Sequence, residues 1–281
     1  MDELYTIARR SNIECFYYQA INGKMKTIFL YEDHRTLLNV LFEASKLIND
    51  HRVPNLIFFD RHDDACPTMH LSELLHKMGK TSFEDVTSKE FWPFVEFDLS
   101  YLDDDWLLAG MELGLINNAV VIGQELNANI SRLQNKYQTE DKLQHKLYSI
   151  PHLNSSLNNR GCLGDTCITD TSYTDIRNIF QFNNNRFDSA DIYPFILDFD
   201  LDCFTSECRE TTIAWAEKIF KEEYSDNFKT ADFMQQLISR CQFITICKES
   251  KCCGGLGESN KILSYLDRYI FDDSLGTEAI Y

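Results

Sequence analysis

The chain has 281 residues, 44% of them hydrophobic and 13% aromatic, and a formal net charge of −17. That composition excludes a disordered chain and provides for a substantial core, in one large α/β domain or two small ones. So large an acid excess is wrong for a general binder of nucleic acid or of an anionic membrane, which reward clustered Lys and Arg; it suits metal cations or a cationic substrate.

No apolar run is long enough for a transmembrane helix, and the charged N-terminus "MDELYTIARRSN" lacks an apolar signal core. The expected location is therefore cytoplasmic. "KTIFLY" at 26–31 has the composition of a strand, and "HRTLLNVLFEASKLIN" at 34–49 carries apolar residues at helical spacing. "LIFFD" predicts the next strand. "LSELLHKMG" reads as a short helix closed by Gly79, and "DDDWLLAGMELGLI" as another with Asp103, Asp104 and Asp105 near its positive end. "NAVVIG" is a buried strand.

Residues 124–190 are rich in Asn, Ser, Thr and Asp. They predict surface loops forming an insertion, lid or rim, with a helix around "ISRLQNKYQTEDKLQHKLY". A regular pattern resumes with the strand "YPFILDFD". A helix over about 207–222, a helical "ADFMQQLISRC", the strand "QFITIC", the loop "KESKCCGGLGES" and a last helix "NKILSYLDRYIF" follow. Short apolar strands alternating with helices predict a single α/β domain over 1–281, a three-layer α/β/α sandwich around a mainly parallel sheet. Ligands of such folds bind beyond the C-terminal ends of the strands.

The ten cysteines include no C-x2-C pair, so no zinc-knuckle spacing is present. Cys162 and Cys167 share the loop-like "RGCLGDTC", and reduced thiols are expected throughout.

Three strands end in metal-ligating residue types. "IFLYEDHR" delivers His34 beside Glu32 and Asp33; "LIFFDRHDD" delivers Asp60, His62 and Asp64; "FILDFDLDCF" delivers Asp198, Asp200 and Asp202. Alternate residues of an extended segment point the same way, so each cluster converges if its segment stays extended, with Arg61 and Asp63 pointing away. Carboxylates pooled in so small a volume repel one another and require a compensating cation. Two divalent ions are the natural solution, and an oxygen-rich site with one or two imidazoles suits manganese among others. Of the other histidines, His51 reads as a helix C-terminal partner and His70 and His76 as exposed.

In their order and spacing, "YEDHR", "FFDRHDD" and "LDFDLDCF" resemble the arginase-like (ureohydrolase) superfamily. They resemble more specifically the UPF0489 family, which is related to the peptide arginases that convert arginine side chains to ornithine. The resemblance also takes in the helix with "DDDWLLAGMELG" and spans most of the chain except 124–190. It implies two manganese ions: His34 and Asp64 on one, His62 on the other, Asp60 bridging. Asp198 would be the second bridge and Asp200 would complete the ligand set of the second ion, or the pair would be Asp200 and Asp202. The implied activity is hydrolysis of a guanidinium group, arginine in a peptide or protein giving ornithine and urea, with Asp64 as the acid and Glu249, after "QFITIC", as the carboxylate partner of the substrate. Asp104 and Asp105 would line the entrance. The glycine pair that precedes the histidine in arginases is replaced here by Glu32-Asp33, and "LDCF" replaces a proline-containing continuation.

Two other readings compete. "ILDFDLDCF" has the spacing of the D-x-D-x-T signature of haloacid-dehalogenase phosphatases, although the fifth position is Asp202. A metal-binding interaction protein without catalysis would carry the same ligands.

Overall fold

Alternation along the strands sorts their side chains onto two faces, and each face collects its own helices. The computed structural model describes residues 4–8, 12–48, 52–123, 133–150, 194–208 and 211–277. His51, His152, Cys162, Cys167 and most of the Asn-rich stretch lie outside them.

Among the described residues the main sheet has eight strands: β1 (Glu14–Gln19), β2 (Met25–Tyr31), β3 (Asn55–Phe59), β4 (Ala119–Ile122), β5 (Leu133–Gln138), β6 (Gln144–Ile150), β7 (Phe195–Asp200) and, beyond two short strands described below, β10 (Ile244–Cys247). Their spatial order is β1-β2-β10-β7-β3-β4-β6-β5. From β2 to β6 every pairing is parallel, and only the edge strands β1 and β5 run antiparallel. β3 is buried along its whole length, as a central strand covered on both faces must be.

On one face Phe29, Leu56, Phe58, Val121 and Ile196 pack with α2 (Thr36–Leu47), α4 (Ser88–Phe97) and α5 (Trp106–Glu112). On the other, Ile28, Ile57, Phe59, Leu197 and Phe199 pack with α7 (Phe228–Arg240) and α8 (Leu256–Ile270). Neighbouring β-residues thus fall into opposite clusters, the two-residue period read as packing. Each fully buried Phe or Leu contributes ~1.5–3 kcal/mol relative to exposure. Helices α1 (Tyr5–Ala8), α3 (Leu71–Lys77) and α6 (Glu217–Lys221) are the remaining α-helices among the described residues. No helix among the described residues is long and apolar enough to cross a membrane.

Two expectations are corrected. "LQNKYQTEDKLQHKLYSI" is a hairpin, β5–β6, rather than a helix. His145, Leu147 and Ser149 are buried while Gln144 and Lys146 are exposed, so the period is two. Its turn is held by the Thr139 hydroxyl bonding Asp141 and by Lys142 at φ 72°. The expected helix over 207–222 is instead a small sheet of β8 (Thr205–Cys208) and β9 (Thr211–Ala214) followed by α6. The β-branched Thr211, Thr212 and Ile213 favour that outcome. A side chain at Gly254 would come 2.0 Å from the Thr212 carbonyl oxygen, so only glycine lets the loop after β10 lie against β9.

Candidate metal centre

The four strands at the middle of the sheet, β2, β10, β7 and β3, are parallel neighbours, so their C-terminal ends share one edge. Every acidic strand end singled out in the sequence opens there. His34 follows β2 at the start of α2, with its backbone carbonyl accepting from Leu37 N. Asp198 and Asp200 close β7, Asp60 follows β3, and Glu249 follows β10.

His34 is fully buried, and carboxylates surround it. Its Nδ1 lies 3.0 Å from Asp64 Oδ2, 3.1 Å from Asp200 Oδ2 and 3.4 Å from Asp60 Oδ2. Yet Nδ1 and Asp60 Oδ2, both buried, find no properly aligned hydrogen bond among the described residues. The other ring nitrogen, Nε2, sits 2.8 Å from Asp198 Oδ2. Burial disfavours the imidazolium, but Asp198 and the other acids overcome this and hold its pKa well above the ordinary value.

A second group forms around His62. Its Nδ1 is 3.1 Å from Asp202 Oδ2 and 3.7 Å from Asp60 Oδ1. The His62 side chain is 59% exposed, so this group opens to solvent while His34 does not. The hydrogen bond to Asp202 pushes His62 up to about 9. Ligand atoms of His34, Asp60 and Asp200 lie within 4.8 Å of one another, as do those of Asp60, His62 and Asp202. Asp60 belongs to both groups.

The local backbone differs from the extended path expected. His62 N donates to Asp60 Oδ1 at 2.7 Å, an Asx turn, and Asp64 adopts φ 46°. This turn, rather than alternation, brings Asp64 back beside His34. Asp202 N donates to Asp200 Oδ1 at 3.0 Å, opening a 3-10 turn over Leu201–Phe204 that carries Asp202 toward His62. Arg61 does point away, its guanidinium reaching Glu207 at 2.9 Å, and Asp63 joins neither group.

Asp198 is placed differently from its expected bridging role. It lies across the imidazole from the Nδ1 group, fully buried, accepting from the Thr245 hydroxyl at 2.5 Å and from the Tyr31 hydroxyl at 3.3 Å. Of the two alternatives for the last cluster, Asp200 and Asp202 are the pair that faces the two histidines. Asp198 instead fixes the ring of His34, as carboxylates do behind metal-bound histidines.

Glu249 stands at the mouth with φ 34°, its N–H bonded to the Glu32 carbonyl. Burial, reinforced by Asp200, pushes its carboxyl up to about 9. Burial and the charge of Asp202 push Asp200 up to about 7, and burial and Asp64 raise Asp60. Asp202, Glu249 and the Cys252 thiol form a third group of possible ligands. Asp105 stands at the N-terminus of α5 and accepts from Ser100 N, while Asp103 pairs with Arg35 at 3.1 Å. His70, expected to be exposed, keeps a 65% exposed side chain 3.4 Å from Glu112.

Sequence reasoning missed Trp106, whose indole N–H donates to Asp64 Oδ2 at 2.6 Å, as well as Thr245, Tyr31 and Cys252. A threonine inside the otherwise apolar β10 was the one available signal, since a buried hydroxyl needs a partner.

The residues fit divalent cations. Two orphaned buried polar atoms face each other in an oxygen-rich pocket, and a cation would satisfy both and neutralise the acids around them. No family model matches the chain, and no curated protein matches it.

Proposed function

We propose that the protein is a binuclear-metal hydrolase of the arginase-like (ureohydrolase) type, with the corresponding sandwich fold, acting on an arginine side chain of a peptide or protein to give ornithine and urea. The single observation that carries this reading is the pair of His/Asp groups joined by Asp60 at the C-terminal edge of a parallel sheet. His34, Asp60, Asp64 and Asp200 would hold one manganese ion, and Asp60, His62 and Asp202 the other. Held there, two divalent cations would supply a water activated near neutral pH and charge stabilisation of the transition state.

The chain's own groups supply the rest. Glu249, held at the mouth by its backbone bond to Glu32, offers its side-chain oxygens to the fork of the guanidinium, whose positive charge would favour the ionised carboxylate. Asp198 keeps His34 in one ring orientation. Asp64, aligned by Trp106, is placed to pass a proton to the departing amine. Water adds to the guanidinium carbon, the bond to the side-chain nitrogen breaks, and that nitrogen leaves as the protonated amine of ornithine with urea as co-product.

A haloacid-dehalogenase reading would make Asp198 the nucleophile. Its complete burial behind His34, with one oxygen bonded by Thr245, counts against that role. The test is direct: load the protein with manganese, supply arginine, agmatine and arginine-containing peptides, and measure urea. Urea from the peptides is expected. Tight manganese binding with no urea from any of the three would favour the non-catalytic metal-binding reading.

A further inference from the structure

A second cavity, of about 380 Å³, opens between the end of β2, the first half of α2 and α4, and is lined in part by Glu32, Asp33, Asn39, Trp92, Glu96 and Phe97. We propose that it receives a second basic side chain of the peptide substrate, so that the preferred peptide carries two cationic residues. This rests on the arginine-peptide reading above.

Three carboxylates border the cavity. Among the described residues, Lys248 stands 3.6 Å from Glu32 and Arg35 Nη2 stands 4.0 Å from Glu96, and neither cation is paired with Asp33. Asn39 is 3% exposed, and its Oδ1 has no hydrogen-bond partner among the described residues. A buried acceptor without a partner calls for a donor, and guanidinium and ammonium groups bring several. Trp92 is fixed by its N–H bond to Glu43 at 3.0 Å, and Phe97 is 79% exposed. Aromatic faces beside carboxylates form a cation-binding surface.

The position of the cavity ties it to the metal centre. Glu32 and Asp33 directly precede His34. The Glu32 backbone carbonyl accepts from Glu249 N at 3.0 Å, and its carboxylate accepts from Ser250 N at 3.0 Å. One segment therefore walls the cavity and anchors the loop carrying Glu249. A peptide whose arginine lies at Glu249 passes that shared wall, and a second basic residue reaches the cavity.

The experiment uses the manganese-loaded full chain and peptides with one arginine, alone or with one lysine at successively larger separations. Binding is followed by calorimetry and urea is measured separately. At one separation the two-cation peptide should bind roughly three- to tenfold tighter than the single-arginine peptide. Glu96→Gln and Phe97→Ala, both at exposed positions, should erase that advantage and leave single-arginine binding unchanged. The proposal is overturned if no separation confers an advantage, or if the advantage survives both substitutions. It is also overturned if free arginine or lysine binds as tightly as the peptide and loses the same factor in Glu96→Gln, which would make the cavity an amino-acid site. An advantage lost in the variants, with no urea from any peptide, sinks the hydrolase reading and leaves the cavity assignment standing. Urea without the advantage does the reverse.

Discussion

The two ends of β3 hold opposite kinds of polar chemistry. At its start, Asn55 Oδ1 accepts from Asn117 Nδ2 at 3.2 Å, Asn118 N at 3.1 Å and Asn118 Nδ2 at 3.2 Å. At its other end, Asp60 Oδ2 is buried with no hydrogen bond among the described residues, facing a histidine nitrogen in the same condition. Both ends are inaccessible to solvent, so burial alone does not distinguish them. The difference is whether the protein supplies its own donors. Where it does, the polar group is a structural tie; where it leaves a crowd of acceptors, a cation would satisfy them.

The largest effect should come from Asp60→Ala, which removes the carboxylate common to both groups. Manganese binding and urea release should both vanish, and stability in chelator should not fall, because one member of a self-repelling cluster is gone. Retained manganese binding by calorimetry would sink the proposed centre.

Next in size is the response to pH and metal. Asp200 is raised to about 7 and Glu249 to about 9. A carboxyl raised on folding binds more protons in the folded state, so stability falls as pH climbs from about 4 through those values. His62, raised to about 9, acts in the same direction: its contribution is full below about 6.5 and is lost as pH rises through its folded value. The metal-free protein should therefore melt lower at pH 8 than at pH 5. Manganese requires deprotonated ligands and should reverse that order, adding about 2.7 kcal/mol at a hundredfold excess over Kd. Melting curves in chelator and in manganese that run parallel across this range would refute the picture.

Asn55→Ala tests the opposite end. Removing the shared acceptor leaves the partly buried donors of Asn117 and Asn118 to find water and should lower stability by about 1 kcal/mol, with manganese affinity unchanged. A denaturant titration paired with a metal titration separates the two.

Trp106→Phe is subtler. It keeps an aromatic ring in the core but deletes the hydrogen bond to Asp64. Loss of such an outer partner should weaken manganese about tenfold, while Asp64 itself remains; an unchanged Kd would show the indole N–H to be irrelevant. Asp63→Asn should do almost nothing to metal affinity, since Asp63 lies outside both ligand groups.

The strand ends were legible because apolar runs that stop abruptly at Asp60, Asp200 and the approach to His34 encode both burial and an edge. What happens after the strand was not legible. Whether Asp64 returns to His34 depends on an Asx turn and a positive φ, and whether Asp198 bridges or buttresses depends on which residues of β10 lie beside it. Thr245 pairs with Asp198 across the sheet, a neighbour separated by 47 positions in sequence. The same blindness to partners explains the β5–β6 hairpin: the apolar residues of that stretch fit a helical face as readily as an alternating one until a parallel neighbour, β4, is there to receive β6.

The placement of β10 has one more consequence. It is the last strand of the main sheet in chain order, yet it sits between β2 and β7. Until it inserts, the strand that carries His34 and the strand that carries Asp200 have no common neighbour, and Glu249 has no place at all. On the metal reading proposed above, capture of a cation would be tied to a slow kind of assembly step, the insertion of a late segment into the middle of a sheet built from distant parts of the chain. During synthesis a half-made chain would show the ion only scattered acids, and holding the ion would mark the moment at which the sheet is whole.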